Sequence, residues 1–267
     1  MSFKEKYGPT ALIAGGSEGI GAAFAHSLAA RGLDLVLVAR KKEPLEIIAA
    51  NIQTKYGVKV TVVCCDLTAD DALEQIKSVV KEIPVSFLVY NAALSYIGPY
   101  LDENIGTHEA IAKVNIMTPM KLLHYFGGKM VAQGRGGVVV MSSLAGMQGS
   151  AYLATYAATK AFCNVFAESL WYEWKQKGVD VISCIAGATA TQNYIDTQPG
   201  KTNPLAPKPQ KPGAVVEECL NKIGRRPSFI SGGGNKIASF FMRRILPNRL
   251  TVVIMGNNTR DMYRVKP

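Results

Sequence analysis

Histidine and cysteine, the residues that bind most structural metals, are few in this sequence and poorly spaced for the task. The three histidines, His26, His108 and His124, are scattered along helical patterns without the spacing of metal ligands. The five cysteines contain no CxxC pair, and their odd number excludes a framework in which every cysteine is bridged. We therefore expect no metal centre, and reduced thiols in a cytoplasmic protein.

Long apolar runs are also missing. Residues 136–159 carry no charge, but Gly, Ser, Thr and Gln interrupt them, so a membrane span is not expected. The segment from Met1 to Gly8 is polar and charged, which is unlike a signal peptide. With 267 residues, 48% of them hydrophobic and 19% charged, the chain suits one α/β domain with a large core.

Acidic residues are scarce only near the end of the chain. The first 200 residues hold 17 basic and 17 acidic residues, whereas residues 201–267 hold 13 basic and 3 acidic. The net charge of +10 therefore belongs to the last quarter. Because the rest is balanced and no recognition motif is present, we expect no nucleic-acid partner.

Short apolar runs alternate with helical patterns from end to end, which predicts a Rossmann-type, doubly wound parallel sheet of seven strands with helices on both faces. The predicted strands are Ala11–Ala14, Leu35–Ala39, Val60–Cys65, Phe87–Tyr90, Val138–Met141, Val181–Ile185 and Phe229–Ile230. The predicted helices are Ile20–Arg31, Leu45–Tyr56, Ala72–Glu82, Glu109–Ala132, Ala154–Gln176 and Ala214–Ile223. Residues from about 187 to 212, rich in Pro, Gly and Lys, are predicted to form a long substrate loop.

The first strand leads into the turn Gly15-Gly16-Ser17-Glu18-Gly19-Ile20-Gly21 and then a helix. A phosphate group needs closely approaching backbone and the free N–H groups of a helix N-terminus, and glycine permits both. The alternative is an ordinary glycine-rich turn. The position of this motif between the first strand and an apolar helix favours a nucleotide site.

The second strand ends at Arg40. An enzyme selective for NAD places an acidic residue there, whereas arginine accommodates the 2′-phosphate of NADP. The alternative is a solvated basic turn. We therefore predict NADP(H) as the cofactor.

The strongest constellation joins Ser143 to Tyr156 and Lys160. Tyr156 and Lys160 are four residues apart and share one face of a helix. An ammonium group beside a tyrosine favours the phenolate, which makes proton transfer feasible at neutral pH. Ser143 lies 13 residues upstream at a strand end, where its hydroxyl can hydrogen-bond a substrate oxygen.

These motifs, together with Asp66, Asn91-Ala92-Ala93 and Asn115, resemble those of the short-chain dehydrogenase/reductase family over roughly residues 8–232. The resemblance implies an NADP(H)-dependent oxidoreductase that interconverts a carbonyl and a secondary alcohol. It implies that Asn115 holds a water of a proton relay, Ser143 positions the carbonyl, Tyr156 transfers the proton, and Lys160 assists Tyr156 and holds the nicotinamide ribose.

The same resemblance gives Asp66 a contact with the adenine and Asn91 a role in stabilising the sheet beside the cofactor. The implied cofactor-binding residues are Gly15, Ser17, Gly19, Ile20, Gly21, Arg40, Asp66, Leu67, Asn91, Ala92, Ala93, Tyr156, Lys160, Gly187, Thr189 and Thr191. More loosely, the chain is similar to bacterial hydroxysteroid dehydrogenases and 3-oxoacyl reductases. We expect a homodimer or homotetramer.

The small-molecule substrate is expected to contact apolar residues that follow strands four, five and six. These are Leu94, Tyr96, Leu144, Met147, Leu153 and Tyr194. Such a lining suits a steroid-, acyl- or aromatic-like carbonyl compound. The alternative is that these are ordinary core or subunit-contact residues.

Residues 233–267 form a basic extension beyond the predicted catalytic domain, residues 1–232. Ile237, Phe240, Phe241 and Ile245 have helical spacing before Pro247, and basic residues lie between them. This segment suits a cover over the substrate cleft, a contact with a second subunit, or a contact with an anionic membrane surface. Its charge either steers an anionic substrate or keeps the tail soluble, and Leu250–Met255 fits a strand or a helix.

A protein of another class remains as an alternative, namely a non-catalytic NADP-binding regulator or scaffold with the same fold. The complete set of Asn115, Ser143, Tyr156 and Lys160 favours an enzyme, because a binding module has no need to keep all four.

Overall fold

A computed structural model describes residues 1–197 and 208–265. Its centre is one parallel sheet of seven strands, as predicted, and the strand order is β3-β2-β1-β4-β5-β6-β7. The strands are β1 (Thr10–Ala14), β2 (Asp34–Ala39), β3 (Val60–Cys64), β4 (Val85–Tyr90), β5 (Gly136–Ser143), β6 (Val179–Ala186) and β7 (Ser228–Ile230).

Helices cover both faces of this sheet. Up to the last strand they are α1 (Phe3–Tyr7), α2 (Gly19–Ala30), α3 (Lys42–Tyr56), α4 (Ala72–Val79), α5 (Ile105–Ala112), α6 (Thr118–Leu122), α7 (Gly128–Ala132), α8 (Ala154–Lys175), α9 (Gln192–Asp196) and α10 (Pro212–Leu220). Two more follow β7, namely α11 (Gly233–Arg244) and α12 (Asn248–Tyr263).

Strand β1 shows why the central strands are apolar throughout. Side chains alternate between the faces of a strand, and both faces here are covered. Ala11 and Ile13 pack with helices α2, α3 and α10, whereas Leu12 and Ala14 pack with α4, α6 and α8 on the other face. All four side chains are fully buried.

The long helix before β5 differs from its prediction. It begins at Ile105 rather than Glu109, because the Asn104 side chain accepts a hydrogen bond from the backbone N–H of Gly106 and caps the first turn. Between α5, α6 and α7 the chain makes two wider π turns, Lys113–Met117 and Leu123–Gly127. Pro119 explains the first of them, because it has no N–H to continue the α-helical pattern.

Three further segments differ from or refine the sequence predictions. Helix α9 lies inside the predicted substrate loop, of which residues 198–207 fall outside the described residues. The ambiguous segment Leu250–Met255 is part of helix α12. Helix α1 was not predicted. Within residues 1–197 and 208–265, no helix is long and apolar enough to cross a bilayer.

Glu218, on α10, joins the C-terminal extension to the rest of the fold. Its carboxylate accepts hydrogen bonds from the backbone N–H of Gly232 (2.9 Å), the Ser231 hydroxyl (3.1 Å) and Lys236 of α11 (2.6 Å), and it also pairs with Lys222. Burial acts to raise the pKa of the Glu218 carboxyl, but these hydrogen bonds outweigh it and lower the pKa to about 2.

We predict that Glu218→Gln lowers the free energy of unfolding by about 1.5–3 kcal/mol at pH 7, the range for hydrogen bonds to a charged group. Because the folded-state pKa is below the unfolded one, this stability is present above the unfolded-state pKa and lost as the pH falls toward 2. Urea titrations of both proteins at several pH values measure it.

The matched control is Glu46→Gln, which removes an exposed carboxylate that pairs with Lys42 on the surface of α3. This variant should differ little from the parent at any pH. A stability gap for Glu218→Gln that stays constant down to pH 3 would contradict the assignment.

Candidate active site

The carboxyl ends of the central strands bring the predicted site residues to one edge of the sheet. Gly15 follows β1, Asn91 follows β4, Ser143 ends β5, and Gly187 follows β6. Parallel strands in this arrangement place ligands in the crevice outside their carboxyl ends.

The glycine turn after β1 has no room for side chains at two positions. Gly15 has φ +80°, and a Cβ there would lie 2.7 Å from the backbone nitrogen of Ala92. A Cβ on Gly21 would lie 1.8 Å from the Gly15 carbonyl oxygen. Asn91 donates from its Nδ2 to that same oxygen at 2.9 Å, which fixes the turn against the end of β4.

The start of α2 faces the segment after β6. A Cβ on Gly19 would lie 2.9 Å from the Thr191 side chain, so these two predicted cofactor residues lie together. Ser17 and Ile20 are half-buried in the same turn. The free N–H groups of a helix N-terminus suit a pyrophosphate, and this cradle therefore fits the phosphates of a dinucleotide.

The two predicted adenine-side residues are also neighbours. Arg40 is exposed after β2, and Asp66 is exposed after β3. Hydrogen bonds from the backbone and the hydroxyl of Thr68 lower the pKa of the Asp66 carboxyl, and the charge of Arg40 adds to this. The next residue, Leu67, is buried, and its carbonyl oxygen accepts from the Thr118 hydroxyl at 2.8 Å.

Lys160 is buried near the carboxyl end of β5, with 4% of its surface exposed. Its Nζ donates to the Met141 carbonyl oxygen at 2.9 Å and lies 5.7 Å from the centre of the Tyr156 ring. The Ser142 hydroxyl donates to the Lys160 carbonyl oxygen at 2.7 Å, which ties α8 to β5. Lys160 and the half-buried Tyr156 are thus held together at the end of β5.

The buried side-chain amide of Asn115 is fully engaged. Its Oδ1 accepts from the Leu94 N–H, and its Nδ2 donates to the Leu94 carbonyl and to the Thr159 hydroxyl, each at 2.9 Å. Pro119 cannot supply the hydrogen bond that the Asn115 carbonyl oxygen would receive in a regular α-helix. That oxygen accepts from the Cys163 thiol at 3.3 Å instead.

Several predicted substrate residues surround this centre. The Leu94 backbone is held by the Asn115 amide, and Leu153 lies at the N-cap position of α8. Leu144 and Met147 lie on the turn after Ser143. This turn packs closely on α8, since a Cβ added to Gly146 would lie only 2.5 Å from the backbone nitrogen of Ala161. The Ser143 hydroxyl accepts from the Ala145 N–H at 3.2 Å.

Tyr96 faces His108, which the sequence did not connect with the site. Its ring stands perpendicular to the buried imidazole at 5.9 Å between centres. His108 bonds the Tyr100 carbonyl oxygen at 3.1 Å and the Thr155 hydroxyl at 2.9 Å. It thereby joins the loop after β4 to the residue beside Tyr156, and no local sequence signal marks this contact.

The C-terminal extension reaches the same edge. Val252 of α12 packs on Gly149, and Asn235 of α11 lies against Gly187. Burial raises the pKa of Tyr263 at the end of α12, and nearby Tyr194 and Tyr156 raise it further. One side of the extension therefore lies at the rim of the site.

Comparison with known proteins supports this geometry. A model of the short chain dehydrogenase family matches residues 9–201. The chain belongs to the short-chain dehydrogenase/reductase family. As expected for this family, it is an oxidoreductase that interconverts a carbonyl and an alcohol with a nicotinamide cofactor.

Three relatives of this short-chain dehydrogenase/reductase are informative. The 7β-hydroxysteroid dehydrogenase of Clostridium sardiniense is 33% identical over 236 residues, covering 88% of this chain and 90% of its own. A very-long-chain 3-oxoacyl-CoA reductase of Bos taurus is 31% identical and covers 81% of this chain and 69% of its own. A solved 7β-hydroxysteroid dehydrogenase is 32% identical with a TM-score of 0.90, covering 96% of this chain and 99% of that one.

We predict that Gly21→Ala weakens NADPH binding by roughly tenfold or more, because the added methyl group collides with the Gly15 carbonyl oxygen and deforms the turn. Gly128→Ala is the control, since a Cβ there meets nothing within 4 Å. Fluorescence titration with NADPH measures the affinity of both variants. Equal affinities would show that the turn does not hold the cofactor.

Proposed function

We propose that this enzyme uses NADP(H) and acts on a mostly apolar secondary alcohol or its ketone, of the hydroxysteroid class. The buried Lys160 beside Tyr156 is the observation that supports the chemistry. The likeness to 7β-hydroxysteroid dehydrogenases, which extends over 88% of this chain in sequence and 96% in structure, supports the substrate class.

Lys160 has hydrogen-bonding capacity to spare. An ammonium group carries three donors, and the Met141 carbonyl occupies one of them. We assign the other two to the Tyr156 hydroxyl and to the ribose of the nicotinamide. In this role Lys160 holds the Tyr156 hydroxyl and the cofactor beside each other.

In the direction of reduction, the Ser143 hydroxyl donates a hydrogen bond to the carbonyl oxygen and orients it. Tyr156 donates its proton to that oxygen as an alkoxide develops. The bound nicotinamide supplies the hydride, or accepts it in the reverse direction. Because the Asn115 amide is engaged by Leu94 and Thr159, we assign the relay water to the Asn115 carbonyl oxygen.

The remaining cofactor contacts follow the glycine turn and its neighbours. We assign the 2′-phosphate to Arg40, the adenine to Asp66 and Leu67, and the nicotinamide end to Gly187, Thr189 and Thr191. Asn91, Ala92 and Ala93 line the cofactor beside β4. Gly15, Ser17, Gly19, Ile20 and Gly21 hold the pyrophosphate.

The substrate lies between the segments that follow β4, β5 and β6. We propose contacts with Leu94, Tyr96, Leu144, Met147, Leu153 and Tyr194, and with Tyr263 of the extension. A 3-oxoacyl thioester is the second candidate substrate, supported by the likeness to 3-oxoacyl-CoA reductases. NADPH oxidation with keto forms of 7β-hydroxysteroids and with 3-oxoacyl thioesters distinguishes the two, and turnover of neither would refute the proposed class.

We further propose a catalytic domain of residues 1–232, a cytoplasmic location and a homodimer or homotetramer. All five cysteines are unpaired, which suits a reducing compartment. Exposed apolar side chains on the long helices, Met117, Met120, Val165 and Tyr172, suit a contact between subunits. Light scattering in solution tests the assembly, and a monomer at all concentrations would refute it.

We predict that Tyr156→Phe lowers turnover by at least about 100-fold, because the proton donor is removed. NADPH affinity should stay nearly unchanged, since the ring keeps its place on α8. Tyr172→Phe is the matched control, as Tyr172 lies on the same helix and is exposed. Steady-state kinetics and NADPH titration are the measurements, and near-parental turnover of Tyr156→Phe would exclude the mechanism.

We predict that wild-type protein binds NADPH more tightly than NADH, and that Arg40→Ala narrows the difference by about 1.5–3 kcal/mol, the range for hydrogen bonds to a charged group. Lys42→Ala, two residues further on, removes an exposed charge without this contact and serves as control. Calorimetric titration with both cofactors gives the affinities. Equal affinity of the wild type for NADH and NADPH would argue against the assignment of Arg40.

A further inference from the structure

Helix α11 is packed the opposite way from an ordinary surface helix. It buries the polar residues Asn235 and Ser239, with 4% and 8% of their surfaces exposed. The apolar side chains Ile237, Phe240 and Phe241 remain 62%, 57% and 55% exposed. Surface helices normally bury their apolar stripe, so this arrangement implies that another apolar medium covers the stripe.

Helix α12 repeats the pattern. It buries Thr251 and Thr259 and leaves Leu250, Val253 and Ile254 exposed. The Thr251 hydroxyl donates to the carbonyl oxygen of Met242 at 2.9 Å, which joins α12 to α11. The two helices therefore form one hairpin, residues 233–263, that directs polar side chains inward and apolar side chains outward.

The charge around this hairpin is almost all positive. From Cys219 to Asp261 the chain has eight basic residues and one acidic residue, Asp261, which pairs with Arg260. Lys222 and Lys236 both pair with Glu218, which offsets one of their two charges. Within residues 1–197 and 208–265, five arginines of this stretch form no ion pair, namely Arg225, Arg226, Arg243, Arg244 and Arg249.

This charge decides between the possible occupants of the apolar face. A two-fold contact between two copies through this face would join two surfaces that each carry the unpaired Arg243 and Arg244, and like charges across a contact repel. The substrate cleft does not cover it, because the hairpin already faces the cleft with other residues, such as Val252 and Tyr263. An anionic bilayer offers both an apolar layer and phosphate groups at its rim.

We propose that the hairpin of α11 and α12 is a docking surface for anionic lipid bilayers, on which the protein lies without crossing. Ile237, Phe240, Phe241 and Ile245 insert below the headgroups, and Arg243 and Arg244 bind lipid phosphates at the edge of the stripe. The proposal stands independently of the substrate.

Vesicle co-sedimentation tests it directly. The full-length protein is mixed with vesicles of phosphatidylcholine alone and with vesicles that also contain phosphatidylserine. We expect binding to the anionic vesicles to exceed binding to the neutral ones by at least about tenfold and to weaken with added salt. No binding to the anionic vesicles, or equal binding to both, would overturn the proposal.

Variants then locate the contact. F240Q/F241Q and R243Q/R244Q should each lose binding by roughly tenfold or more, whereas Leu101→Gln should bind as the wild type does. Leu101 is the matched control because it is an apolar side chain, 88% exposed, in another part of the molecule. Unchanged NADPH affinity shows that each variant is folded.

Light scattering without lipid distinguishes a bilayer from a second copy of the chain as the occupant of the apolar face. If F240Q/F241Q keeps the oligomeric state of the wild type, the apolar face is not an interface between copies. A smaller assembly in that variant would assign the face to a second copy of the chain and overturn the membrane proposal. Vesicle binding that survives F240Q/F241Q and R243Q/R244Q would overturn it as well.

Discussion

Lys160 is the only Lys, Arg, Asp or Glu in residues 1–197 and 208–265 that is buried. Burying such a group is costly unless its donors are satisfied, and the structure satisfies one of them with the Met141 carbonyl at the end of β5. The same Nζ lies 5.7 Å from the centre of the Tyr156 ring. The contact of Lys160 with Met141 and Tyr156 brings the end of β5 and the start of α8 together. Because the strands are parallel, the glycine turn after β1 lies at the same edge of the sheet.

Short-range patterns made much of this fold and site predictable. The seven strands followed from apolar runs, and the glycine turn, the Arg40 strand end and the Tyr156–Lys160 pair each lie within a few residues. Contacts between distant segments were not predictable. Asn115 engages Leu94 and Thr159, and His108 joins Tyr100 to Thr155, over separations that no periodic pattern records.

The extension is a second case in which the sequence pattern did not determine the structure. Its helical spacing was visible in the sequence, but an apolar stripe does not tell which way a helix faces. The structure turns polar Asn235 and Ser239 inward and leaves Phe240 and Phe241 outward, while Val252 and Tyr263 lie at the rim of the site. A single segment thereby borders the site and presents an apolar face to its surroundings.

The fate of the hydride tests the central claim most directly. The keto form of a 7β-hydroxysteroid is reduced with NADPH deuterated at the transferable position of its nicotinamide ring, in ordinary water, and the alcohol is analysed by mass spectrometry. The account predicts one deuterium on the carbinol carbon, because the carbon receives the hydride of the cofactor and the oxygen receives the proton of Tyr156. An alcohol without deuterium on that carbon would contradict it.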